Sequence, residues 1–181
     1  MRQAVISRGV SGSGKSTFNR KVTELAAGQG LKVAVHCTDD LFMVNGRYNF
    51  NPVMLGRNHA MNLENFIDSL GQGIDIVVCD NTNTSKFEWS RYAKAAQDAG
   101  YALVDVYFEP GDIDDHDKRN THRVPREILE KQKQKLISSR NACGLPEGFT
   151  RAIVVKKDFF PDNVREAAEW LLDEEAPNRA T

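Results

Sequence analysis

The sharpest chemical signal in the chain is Gly9-Val10-Ser11-Gly12-Ser13-Gly14-Lys15-Ser16-Thr17. It fits G-x-x-x-x-G-K-S/T, a pattern with a mechanism. Gly9, Gly12 and Gly14 let the backbone wrap closely, so that the amides of Ser11, Ser13 and their neighbours point into one concavity. A helix opening at Lys15 adds its N-terminal dipole. Lys15 is then expected on the β- and γ-phosphates of a nucleoside triphosphate, ATP or another, with the Ser16 hydroxyl on Mg²⁺ and Thr17 beside it. The bland alternative, a Gly/Ser turn with a helix cap, leaves the lysine without a purpose.

Two further groups of residues follow strands. Cys37-Thr38-Asp39-Asp40 ends the second apolar run, and Cys79-Asp80-Asn81 the third. Ligands of an open α/β sheet bind outside the carboxyl ends of its strands, so these acids should face the phosphate loop. Asp39 is read as a general base for an attacking hydroxyl, Asp40 as a backbone or capping partner. Asp80 is expected on the metal or its waters. Asn81 and Asn83 suit either turn-making or contact with substrate or metal. Asp117–Glu127 follows the fourth run, and Arg119 and Arg123 are four residues apart. On a helix that spacing puts both guanidinium groups on one face, as a lid over phosphates would need. No guanine-reading Asn-Lys-x-Asp occurs, and no Glu follows Asp80. A switch GTPase and an AAA-type machine are thereby disfavoured.

Five short β-branched runs alternate with helical patterns, which implies right-handed βαβ units. The runs are Ala4–Ile6, Lys32–Cys37, Ile74–Cys79, Leu103–Phe108 and Ala152–Val155. Apolar stripes mark the helices: Phe18, Val22 and Leu25; His59, Leu63, Phe66, Ile67 and Leu70; a third from Phe87 to Ala99. Pro125 opens a fourth, with Ile128, Leu129, Leu136 and Ile137, and Pro161 a last, with Val164, Ala168, Leu171 and Leu172. The expected fold is α/β with three layers: a five-stranded parallel sheet, helices on both faces, and an arginine-bearing lid at about 112–127. Glu109, Asp112, Asp114, Asp115 and Asp117 read as a solvated loop before that lid. Trp89 and Tyr92 read as packing residues.

The 181 residues fit one domain, and 40% apolar content fits a packed core. Lys plus Arg number 24 and Asp plus Glu 25, which excludes a binder driven by overall positive charge. The charge is polarised nonetheless, with a basic stretch over Lys118–Arg140 and an acidic one over Asp158–Glu175. No run is long enough for a membrane span. Three scattered cysteines, Cys37, Cys79 and Cys143, without C-x-x-C spacing, point to reduced thiols and a cytoplasmic setting. His116 and His122 lack ligand spacing to other groups.

The ordered set of phosphate loop, Asp39-Asp40, Asp80-Asn81-Thr82-Asn83 and Arg-x-x-x-Arg-Val-Pro resembles the phage-type polynucleotide 5′-hydroxyl kinases of the P-loop kinase superfamily. Asp39-Asp40-Leu41-Phe42, Tyr48-Asn49-Phe50-Asn51-Pro52 and Asp80-Asn81-Thr82-Asn83-Thr84 are similar to a cellular branch of the same domains. The resemblance implies transfer of the ATP γ-phosphate to the 5′-hydroxyl of DNA or RNA, in end repair. It assigns Asp39 as base, Lys15 and Ser16 to phosphate and Mg²⁺, and Arg119 and Arg123 to ATP. The phage-type pattern has an Arg after the acid pair, where Phe42 stands here. Arg47 or Arg57 would supply that charge, or a base would stack on Phe42 or Tyr48. With Asp173–Thr181 left after the last helix, no phosphatase or ligase domain is expected. The competing reading is a kinase for a sugar, nucleoside or antibiotic hydroxyl, served by the same loop, base and lid.

Overall fold

The computed structural model describes residues 2–143, 146–156 and 162–173. Five parallel strands form the sheet: β1 (Gln3–Arg8), β2 (Val33–His36), β5 (Ile76–Cys79), β6 (Ala102–Phe108) and β7 (Arg151–Val155). Their order is β2-β5-β1-β6-β7. β1 is central and buried throughout, pairing with β5 and β6 on its two sides. The chain leaving β1 returns at the β2 edge, whereas the chain leaving β5 crosses to β6. A crevice opens where those directions part, at the strands' carboxyl ends. A two-stranded hairpin, β3 (Met43–Val44) with β4 (Arg47–Tyr48), stands apart from the sheet.

Helices cover both faces, as the strand composition requires. On one side α1 (Lys15–Gly28) and α6 (Asp162–Leu172) pack Phe18, Val22, Val164, Ala168 and Leu171 against Val5, Val78, Val104 and Val106. On the other, α2 (Leu55–Gly71) and α3 (Lys86–Asp98) pack Leu63, Phe66, Leu70, Trp89 and Tyr92 against Ala4, Ile6, Val77 and Leu103. Each fully buried large apolar side chain is worth roughly 1.5–3 kcal/mol. A third cluster, Val10, Tyr107, Leu129 and Leu136, seats α5 (Arg126–Cys143) over the phosphate-loop end of the sheet. α5 is also tied down by Arg8. That guanidinium is buried against Asp105 of β6 at 3.3 Å and donates to Ser139 Oγ at 3.0 Å.

Three expectations need correction. α2 is rotated from the expected stripe. Ile67 is exposed and His59 is exposed beside the turn after β2, while Asn58, Asn62 and Ser69 are buried. Those polar groups can go inside because each has a partner: Leu41 O for Asn58, Tyr92 OH for Asn62 and His36 Nε2 for Ser69. Ile137 is likewise exposed. The acidic run is not a loop but a helix, α4 (Ile113–Arg119). Asp112 precedes it, Asp114 and Asp115 lie in its first turn, and Lys118 and Arg119 in its last, which complements the helix dipole at both ends. Pro161, expected to open the last helix, lies outside the described residues. No helix among the described residues is long and apolar enough to cross a membrane.

Candidate active site at the strand tips

The phosphate loop runs from the end of β1 into α1 and is pinned on both flanks. Gly9 N donates to Thr82 O at 2.9 Å, and Ser13 N to Val10 O at 3.0 Å. Gly12 and Gly14 adopt left-handed φ angles of 78° and 97°. A Cβ on Gly12 would overlap the backbone carbonyl of His116 in α4, so lid helix and loop meet where only glycine fits. Ser11 N donates to Gln132 Oε1 of α5 at 3.0 Å. Ser11, Gly12, Gly14, Lys15, Ser16 and Thr17 line a cleft of about 700 Å³, a size usual for small-ligand sites. Gly9 and Ser13 do not line it. They shape the loop instead, with Ser13 buried and a Cβ on Gly9 colliding with Ser13 Oγ and Phe108. Lys15 Nζ lies back on the loop, donating to Gly9 O at 3.1 Å and Val10 O at 3.0 Å. Those are weak claims on an ammonium that a phosphate would outbid.

Asp80, at the tip of β5, faces Lys15. Its Oδ2 accepts from Ser16 Oγ at 3.4 Å. Its Oδ1 is buried without a hydrogen-bond partner. A buried carboxylate oxygen left bare is costly, and a hydrated cation bridging Ser16 and Asp80 would satisfy it. The residues therefore fit Mg²⁺. Burial pushes Asp80 above the usual carboxylate value against the pull of Lys15, and pulls Lys15 below its own against Asp80 and Asp39. Cys37, in the same cleft wall, is pushed up to about 12, chiefly by burial, and stays a thiol.

Asp39 sits on a 3-10 turn, Thr38–Phe42, directly after β2. Asn81 Oδ1 accepts from Thr38 N at 3.0 Å, and Thr38 Oγ1 meets His59 Nδ1 at 3.1 Å. The turn is thus fixed from β5 and from α2. Asp39 lines the cleft, while Asp40 is exposed and does not. Tyr48 of the hairpin donates its hydroxyl to Asp39 Oδ1 at 3.1 Å. Burial and the Asp39 charge push the Tyr48 phenol well above its ordinary value, so it remains a donor.

Four sequence-expected contacts stand elsewhere. Phe42 is 3% exposed and packs edge-on to Tyr48 and tilted against Phe50, so no base can reach its face. Tyr48 and Phe50 present aromatic surface to the cleft in its stead. Arg57 is exposed on α2 away from the cleft. Asn83 is buried with φ 47°, donating from Nδ2 to Ser7 O at 2.8 Å, a turn-maker rather than a substrate contact. Arg119 and Arg123 do not share a helix face. α4 ends at Arg119, and Arg123 has φ 53° and points out of the cleft. Arg119 lines the cleft with Lys118, whose part the sequence did not single out. His59 and His122 also line it, unforeseen because their partners, Thr38 and Asp39, lie 21 and 83 residues away.

A parallel sheet of this order with a phosphate loop after its central strand, an acid at two neighbouring tips and a basic lid defines a P-loop kinase-type domain, a fold that implies ATP binding. The chain belongs to the AAA domain family AAA_33, whose model matches residues 5–138. The name notwithstanding, Asp80 is followed by Asn81, not by the Glu of an ATP-driven machine. It is 30% identical over 131 residues to human NEDD4-binding protein 2, covering 69% of this chain and only 7% of that relative's length. Among solved structures it is similar to the Pnkp1/Rnl/Hen1 RNA repair complex, with TM-score 0.61 and 19% identity over 78% of this chain and 46% of that one. It is similar also to a gluconokinase from Sinorhizobium meliloti, with TM-score 0.55 and 18% identity over 93% and 91% of the two chains. At such identities the likeness is one of fold.

Proposed function

We propose that the domain is an ATP- and Mg²⁺-dependent kinase that phosphorylates the 5′-hydroxyl end of DNA or RNA, in nucleic-acid end repair. The observation that carries the chemistry is Asp39, exposed to the same cleft as Lys15, Ser16 and Asp80. The acceptor hydroxyl gives its proton to Asp39 as its oxygen bonds to the γ-phosphorus. The bond from that phosphorus to the β–γ bridging oxygen breaks, and ADP leaves. Lys15 and the loop amides hold the phosphates, and Arg119 with Lys118 meets charge spreading onto the transferring group. Mg²⁺, held by Ser16 and Asp80, would neutralise phosphate charge.

The nucleic-acid acceptor is supported by the wall beside Asp39. The half-exposed Phe50 lines the cleft beside Tyr48, whose ring packs against His122, and Arg47 is exposed on the same hairpin. Stacking platforms edged by cations suit single-stranded ends. The likeness to an RNA repair complex favours the same reading, and the likeness to a gluconokinase keeps a small hydroxylated acceptor in the comparison.

The test is an acceptor panel with γ-labelled ATP: a 5′-hydroxyl oligonucleotide, the same oligonucleotide already 5′-phosphorylated, and gluconate. Label on the first alone supports the proposal. Label on gluconate and none on the oligonucleotide overturns its substrate.

A further inference from the structure

Asp39 is gripped from two elements that are far apart in the chain. Tyr48, from the hairpin, donates to Oδ1 at 3.1 Å. His122, from the lid, brings Nε2 to 3.9 Å from Oδ2. The two aromatic rings face each other, with centroids 4.4 Å apart and planes at 44°. The lid backbone is shaped to deliver that imidazole. Arg123 N donates to Asn120 O at 3.3 Å and Asn120 Nδ2 to Val124 O at 2.8 Å, which folds 120–124 into a tight turn. Arg123 takes the left-handed conformation in it, at φ 53°. A non-glycine residue held there is strained, and such strain clusters at functional sites.

We infer that His122 is a positioning residue through which the lid sets the orientation of Asp39. This rests on Asp39 being the base. With Oδ1 committed to Tyr48, Oδ2 is the oxygen left for the acceptor's proton. His122 faces that oxygen at a distance within ion-pair reach and beyond a hydrogen bond, a gap of about 1 Å. The same lid segment carries Lys118 and Arg119 into the phosphate side of the cleft. Closing the lid on a triphosphate therefore carries His122 onto Asp39 and fixes Oδ2 toward the hydroxyl. The stack on Tyr48 guides the ring, and the imidazole nitrogen does the orienting. Nucleotide binding and readiness of the base are thereby linked.

The test is a double-mutant cycle on the whole chain: wild type, Asp39→Asn, His122→Ala and the double variant. Transfer from ATP to a 5′-hydroxyl oligonucleotide is measured, with ATP affinity determined separately by equilibrium binding. His122→Ala should lower kcat about tenfold, as loss of orientation at a reacting group does, with ATP affinity held within about twofold. In the Asp39→Asn background the same change should cost less than about twofold, because there is no base left to orient. His122→Phe, which keeps a ring over Tyr48, should fall with the alanine variant. Equal losses in both backgrounds would make His122 merely structural, and no loss in the wild-type background would remove its role; either overturns the inference. Full activity in Asp39→Asn would instead strike the base assignment itself. Should the oligonucleotide take no label, the same cycle is read on ATP hydrolysis, with water as acceptor.

Discussion

Gly12→Ala separates the contact between loop and lid from ordinary backbone strain. Gly12 has φ 78°, and its missing Cβ faces the His116 carbonyl of α4, a backbone atom that cannot rotate aside. Gly100 has φ 75° with nothing within 4 Å of a built Cβ, so Gly100→Ala carries the strain without the collision. Both variants should lose about 1–2 kcal/mol to the left-handed conformation. Gly12→Ala must in addition push α4 from the loop by about 1 Å, and misplacement on that scale costs up to about 10²-fold in rate. Urea unfolding, equilibrium ATP binding and γ-phosphate transfer are the assays. Gly100→Ala should bind ATP and transfer phosphate like wild type at a temperature where it is folded. Gly12→Ala should bind ATP at least tenfold more weakly and transfer on the order of a hundredfold more slowly. ATP binding by Gly12→Ala equal to that of Gly100→Ala would refute the idea that loop and lid are packed too closely for a side chain.

Two more outcomes follow from buried polar groups. His116 Nε2 accepts from Gly111 N at 3.1 Å, which leaves the ring proton on Nδ1, and burial holds its pKa below 6.5. Above 6.5 the ring is neutral folded or unfolded and its contribution is intact. As pH falls below 6.5 the unfolded chain takes a proton that the folded one refuses, so stability drops by up to about 1.4 kcal/mol per unit until the folded value is passed. His36 is depressed in the same direction, so His116→Gln should flatten the fall in urea midpoint between about pH 7.5 and 5.5 without abolishing it; an unchanged slope would contradict the neutral buried state. Asn83→Ala strips the Ser7 carbonyl of its donor and should cost about 1–3 kcal/mol of stability while leaving the KM for the acceptor unaltered. A raised KM with unchanged stability would return Asn83 to the substrate.

What was legible in the sequence was periodic or local. The β-branched runs became the five strands, with β2, at one edge of the sheet, half-buried along its length. The phosphate loop, Asp39 and Asp80 could be assigned to the strand tips because each directly follows an apolar run. The lid was misread where a spacing was taken for a helix. Arg119 and Arg123 are four apart, but the turn at 120–124 lies between them and throws Arg123 outward. The helix that does exist there, α4, had announced itself in acids at its start and bases at its end. Phe42 was offered to the substrate because it stands where the phage-type pattern carries a substrate-binding Arg after the acid pair. A 3-10 turn rotates by a third of a circle per residue, and that brings Phe42 under Phe50. His122 was passed over for want of a partner nearby in the chain. Its partners come from the far wall of the cleft, and only the closed fold brings them within 4.4 Å.

The most direct test of the account is single-turnover transfer of labelled γ-phosphate from ATP to a 5′-hydroxyl oligonucleotide by wild type and by Asp39→Asn, with Mg²⁺ present and both proteins saturated with ATP. Wild type should label the 5′ end, and Asp39→Asn should be slower by about 10²–10⁴-fold at equal ATP occupancy, the range for loss of a general base. Equal rates for the two proteins would contradict the account at its centre.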